Sequence, residues 1–70
     1  MDEVDYVRIG GWVREQRDLR GMNRYDLSDL SGCSVATIRR IETGDAGCAL
    51  SRVTAVVNAL GGRLRAEDVT

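Results

Sequence analysis

The 70-residue chain has no histidine, no proline, no lysine and no phenylalanine. Without histidine it lacks the commonest general base and metal ligand. Only Cys33 and Cys48 remain as soft ligands, too few for a structural zinc site, so no metal is expected. There is no Gly-rich phosphate loop and no Cys/His or Ser/His pair, and the carboxylates are scattered along the chain. These absences argue against an enzyme and against a cofactor. Nothing suggests export, so the two cysteines are read as a buried Cys33 and a loop Cys48 rather than a disulfide. Apolar runs are far too short to span a bilayer, and Met-Asp-Glu-Val-Asp is no leader. A soluble, cytoplasmic protein with no membrane partner is expected.

The 43% hydrophobic and 30% charged composition is that of a globular chain, with room for one domain. All ten cations are arginine, which favours planar, bidentate recognition of phosphate or guanine. Codon usage in a GC-rich genome would leave the same mark. The formal net charge of −1 hides a segregation. Residues 1–6 carry Asp2, Glu3 and Asp5 with no cation, whereas residues 7–24 carry five arginines against Glu15 and Asp18. The first six residues are read as an acidic, frayed arm, with autoinhibition of the arginines as the sharper alternative.

With proline absent, glycines must punctuate the chain, and their spacing leaves room for four short helices. The first runs from an N-cap at Asp5 to about Arg20, with Ile9, Trp12 and Val13 on one side, and Gly10-Gly11 weakens its first turn. Asn23 caps the second, with Met22 and Leu27 as a hydrophobic staple, and Gly32 ends it. Ser34 caps the third, from Val35 to about Glu42, whose Ile38 and Ile41 share one face. Leu50, Val53, Val57 and Leu60 form the stripe of the fourth. Arg63 to Ala66 alternates polar and apolar, the pattern of a short strand, which would need a partner such as its symmetry mate. The expected architecture is all-α: a compact four-helix domain over residues 7–62, with a tail over 63–70 that contains the candidate strand.

The stretch from Arg24 to Thr43 places two short helices on either side of a tight turn, the geometry of a helix-turn-helix. Such a motif lays the N-terminal residues of its second helix on base edges, so the outward positions must be free of core duty. With Ile38 and Ile41 inward, these are Val35, Ala36, Arg39 and Arg40. An arginine there can contact guanine O6 and N7 in bidentate fashion, and Val35 or Ala36 can meet a thymine methyl. The bland alternative is a solvated helix face whose arginines pair with Asp26 or Asp29.

The run Asn23-Arg24-Tyr25-Asp26-Leu27-Ser28-Asp29-Leu30-Ser31-Gly32-Cys33-Ser34-Val35-Ala36-Thr37-Ile38-Arg39-Arg40-Ile41-Glu42-Thr43-Gly44 resembles the lambda-repressor/Cro-type (Xre-like) helix-turn-helix family. The resemblance extends from about Ile9 to Leu64 and includes the Ala59-Leu60-Gly61 close of the last helix. It implies a lambda-repressor-like fold and a sequence-specific regulator of transcription that binds double-stranded DNA in a bacterial or phage-infected cytoplasm. The regulator would be a repressor, either phage Cro-like or an antitoxin-like autoregulator with a toxin as partner. It would act as a homodimer on a palindromic operator. The resemblance further implies that Arg17 and Glu42 form a structural ion pair and that Arg24 touches phosphate or a base. Ser34, Val35, Ala36, Arg39, Arg40 and Thr43 match DNA-facing positions.

The chain departs from the family pattern in several places. Ser28 replaces a usual alanine where the two helices touch, tolerable if its hydroxyl bonds a backbone carbonyl. Gln16 replaces an aliphatic residue, and Ala49 a capping serine or threonine. The tail resembles members that dimerise through a C-terminal strand, which makes Leu64 a candidate interface residue. Trp12 and Leu19, at the edge of the first helix's core arc, are either a partner surface or a cover of the core edge against the tail. The partner-surface option supports a rival reading: a protein-interaction module that keeps the fold without reading DNA, in line with the acidic pI of about 5.2.

Overall fold

The computed structural model describes residues 2–65, which form four helices: α1 (Glu3–Leu19), α2 (Arg24–Ser31), α3 (Val35–Glu42) and α4 (Leu50–Ala59). Most of the boundaries follow from local chemistry. Asn23 and Asp26 exchange side-chain and backbone hydrogen bonds in a capping box that starts α2. Ser34 Oγ accepts the Thr37 N–H at 3.1 Å and starts α3. Between them Gly32 takes the left-handed conformation, φ 74°, and turns the chain within three residues.

Helix α1 begins earlier than its expected Asp5 cap. Asp2 is the N-cap: its carboxylate accepts the Asp5 N–H while Asp5 accepts the Asp2 N–H, each at 3.1 Å. That reciprocal box, with Glu3 and Asp5 favourably placed at the positive end of the helix dipole, recruits residues 3–6 into the helix. They are therefore its first turn and not a separate acidic arm.

The core draws on all four helices: Ile9 and Val13 from α1, Leu27 from α2, Ile38 and Ile41 from α3, and Val53, Val56 and Val57 from α4. Leu60 and both cysteines complete it. Cys33 and Cys48 are free thiols, and Cys48, though in the α3–α4 loop, is buried as well. The apolar stripe of α4 is shifted from the expected one. Leu50, in the first turn, is half exposed, whereas Val56 is fully buried, so the working set is Val53, Val56, Val57 and Leu60 at i, i+3, i+4, i+7.

Gly10 is buried where α1 crosses the end of α3, and a side chain there would run into the Ile41 carbonyl oxygen. The residue read as a weak point of α1 is thus what lets the two backbones approach. Trp12 lies against Gly62 and Val57 at the edge of the core. Leu19 does not follow it. Seven residues further on, it has drifted ~20° around the helix away from the core, and at the last position of α1 it is 73% exposed. Arg63 to Arg65 adopt no regular structure and form no strand, consistent with an edge that lacks a partner. Ala66 and the rest of the expected tail lie outside the described residues. Among the described residues, no helix is long and apolar enough to cross a membrane.

Candidate nucleic-acid interface

Helices α2 and α3 are locked together at their turn. Ser28 Oγ donates to the Cys33 carbonyl at 2.6 Å, so the hydroxyl at this contact is satisfied internally. Helix α3 then divides cleanly. Ile38 and Ile41 are 0% and 3% exposed, whereas Ala36, Arg39 and Arg40 stand in solvent and Val35 is half-buried beside them. Ser34, just before the helix, uses its hydroxyl twice: it accepts from the Thr37 backbone and donates to Thr37 Oγ1 at 2.9 Å. Thr43 Oγ1 donates to the Arg40 carbonyl at 2.9 Å, closing the other end. Ser34, Val35, Ala36, Arg39, Arg40 and Thr43 thus share one short helix and its two caps.

At the C-terminal end of α3, Glu42 projects inward with a side chain only 1% exposed. Arg17 from α1 meets it in bidentate fashion, Nε donating to Oε2 at 2.7 Å and Nη2 to Oε1 at 3.1 Å. The same guanidinium donates from Nη1 to the Met22 carbonyl at 2.9 Å, so it ties the α1–α2 connection as well. The hydrogen bonds to Glu42 hold Arg17 above the ordinary arginine range, against the opposing effect of burial. Arg24 also reaches Glu42: its Nε donates to Oε1 at 3.2 Å, and its side chain is 31% exposed. Arg24, expected at DNA, therefore shares the carboxylate with Arg17 and joins α2 to the cluster. Two cations on one buried anion offset its unfavourable place at the negative end of the α3 dipole.

The partner of Arg40 is neither Asp26, which belongs to the α2 capping box, nor Asp29. It is Asp45, beyond the end of α3, which accepts from Arg40 Nε at 2.7 Å. This pair and the Arg24–Glu42 contact went unread in the sequence. For Asp45 a signal existed: Asp45-Ala46-Gly47 directly after a helix-ending glycine is an aspartate turn, and its carboxylate accepts the Gly47 N–H at 2.7 Å. The Arg40 hydrogen bond, then the Gly47 N–H, hold the Asp45 carboxyl below the ordinary aspartate value. Arg39 makes no ion pair among the described residues, and no cluster of His, Cys, Asp or Glu there could hold a metal ion.

Two short capped helices about a glycine turn, with the second helix apolar inward and cationic outward, define a helix-turn-helix DNA-binding domain. The sequence profile of the helix-turn-helix family matches residues 13–66, and the chain belongs to this family in its Cro/C1-type, lambda-repressor-like form. This is a family of DNA-binding regulators and not of enzymes. No curated protein and no solved structure matches the chain.

Proposed function

We propose that the protein is a sequence-specific repressor that reads a palindromic operator through α3. Within this reading Arg39 contacts a guanine edge, and Val35 and Ala36 lie against thymine methyl groups. Ser34, Arg40, Thr43 and the exposed part of Arg24 complete the DNA-facing surface. A homodimer would set two copies of α3 ~34 Å apart, one turn of B-DNA. Leu64 and the tail supply the candidate dimer contact, and the biological setting is that of a phage Cro-like repressor or an antitoxin-like autoregulator. Arg17 and Glu42 serve this surface indirectly, by fixing the end of α3.

The observation that carries the proposal is the division of α3: its two isoleucines are buried while Ala36, Arg39 and Arg40 are exposed on the same helix. The rival reading, a protein-interaction module built on Trp12 and Leu19, is weaker for the packing of Trp12 against Gly62 and Val57, which leaves Leu19 alone exposed.

The test is a mobility shift of the protein on its own upstream DNA, over a salt series and with excess non-specific competitor. A discrete, competitor-resistant complex that weakens as salt rises is expected. Arg39→Ala should weaken it by ~1–3 kcal/mol and leave the helical circular dichroism unchanged. A variant that binds the operator as tightly as the parent would remove Arg39 from base reading. Loss of Leu19 abolishing function while Arg39→Ala does not would favour the interaction module.

A further inference from the structure

The two arginines on the outward face of α3 are held differently. Arg39 has no ion pair among the described residues, whereas Arg40 is gripped at one point. Arg40 Nε donates to Asp45 Oδ2 at 2.7 Å, and among the described residues no other hydrogen bond reaches its guanidinium. Asp45 is itself immobilised. Its Oδ1 accepts the Gly47 N–H at 2.7 Å, and its own N–H donates to the Arg40 carbonyl at 3.0 Å. The guanidinium lies over Gly47, where a Cβ would come within 3.0 Å of Nη2. One of five N–H donors is therefore used, and the four on Nη1 and Nη2 form a fork whose orientation is set from behind. The Arg40 side chain is 53% exposed, so that fork opens to solvent.

We propose that Asp45 is a positioning residue for DNA binding, holding Arg40 by Nε so that its two amino groups meet one backbone phosphate in bidentate fashion. The inference rests on the DNA-facing reading of α3 given above. A phosphate is chosen over a base edge because Arg40 stands towards the C-terminal end of α3, whereas base edges are met by the N-terminal residues of a recognition helix. A fork with its rear nitrogen already fixed loses less freedom on binding than a mobile arginine does. The aspartate contributes through that geometry and not through its charge, which by itself would repel the DNA backbone.

Asp45→Asn separates these effects. The amide oxygen can still accept the Gly47 N–H and keep the turn, but an amide nitrogen then faces Arg40 Nε, donor against donor. The parent chain, D45N, R40A and the double variant are compared by fluorescence anisotropy on the upstream duplex and on a scrambled duplex of equal length, over a salt series. Loss of one phosphate contact in R40A should weaken both duplexes alike, by about fivefold near 0.15 M salt, and reduce the salt slope by about 0.9. D45N should weaken both by about threefold, and by nothing further once Arg40 is already alanine. Equal losses from D45N with and without Arg40 would show that it acts through the turn, and tighter binding by D45N would show that Asp45 restrains Arg40. Either result overturns the proposal, as would a change in base preference in place of a uniform loss. If R40A and R39A both leave binding intact, the DNA-facing reading of α3 falls, and the role of Asp45 falls with it.

Discussion

Helices α3 and α4 are of similar length, 8 and 10 residues, yet they are held in different ways. Helix α3 is fastened at its ends: a serine cap in front, and behind it a buried carboxylate gripped by arginines from α1 and α2. Only Ile38 and Ile41 anchor it along its length. Helix α4 is fastened along a stripe. Val53, Val56 and Val57, continued by Leu60, are almost wholly buried, while its N-cap, Ala49, makes no side-chain hydrogen bond. The difference suits their tasks. A helix that must leave one whole face to a partner cannot rely on burial around its circumference, so its orientation is set by directional bonds at the termini. A helix that only has to back the core can rely on apolar area.

If this contrast is right, the largest loss of stability from a polar substitution should come at Glu42. Glu42→Ala leaves Arg17, only 11% exposed, with no carboxylate but the exposed Asp18 at 3.4 Å, and removes the link from Arg24. Breaking a buried pair by deleting one partner typically costs ~3–5 kcal/mol, a large part of the stability of a domain this small. Urea denaturation followed by circular dichroism should show the midpoint falling steeply. A cost below ~1 kcal/mol, the range of an exposed pair, would mean that α3 is held by its isoleucines alone and would erase the distinction from α4.

The contact between α1 and α3 sharpens the comparison further, because it is made by backbone. Gly10 faces the Ile41 carbonyl, with the Glu42 carbonyl oxygen 3.1 Å from where a Cβ would sit. Gly10→Ala improves the intrinsic helix propensity of α1 by ~1 kcal/mol, but it must push α1 off the end of α3, an overpacking cost of ~1–3 kcal/mol. The net effect should be destabilising, and the displacement should loosen the Arg17–Glu42 pair. Gly11→Ala on the open side of the same helix, where nothing lies within 4 Å, should stabilise. Thermal denaturation of the two variants side by side checks the opposite signs, and a stabilising Gly10→Ala would show that the close approach does not matter.

Much of this was legible from local signals. Asn23, Gly32 and Ser34 mark the helix-turn-helix because each acts on backbone within a few residues of itself, and the division of α3 follows from its helical period. What escaped depends on neighbours distant in sequence. Gly10 reads as a flaw until α3 is placed beside it, and Arg24 reads as a DNA contact alone until Glu42, eighteen positions on, is brought within 3.2 Å. Val56 escaped for a different reason: a stripe read at i, i+3, i+7 and i+10 from Leu50 starts one turn too early and omits the residue that fills the gap. The capping box at Asp2 was local and readable: Asp5, the expected cap, is the N3 member of a box that begins three residues earlier.

The smallest expected effect lies at the uncapped end of α4. Ala49 already has the extended backbone of an N-cap, φ −63° and ψ 140°, and it is exposed, so a hydroxyl can be added without repacking. Ala49→Ser would supply a side-chain acceptor to the first turn, where the Arg52 N–H now reaches only the Ala49 carbonyl at 3.0 Å, worth ~1 kcal/mol. That should raise Tm by ~4–8 °C for a domain of this size, with DNA affinity unchanged because α4 backs the core and does not carry the candidate interface. Ser34→Ala is its mirror image: it should lose a similar increment of stability and, if α3 depends on its termini for orientation, weaken DNA binding as well. Equal stability changes of opposite sign, with an affinity change only at Ser34, would mean that caps stabilise both helices alike while only the α3 cap also serves DNA binding, through aim or through its own place on the DNA-facing surface. An affinity loss from Ala49→Ser would instead tie α4 to the DNA-binding surface and dissolve the division between the two helices.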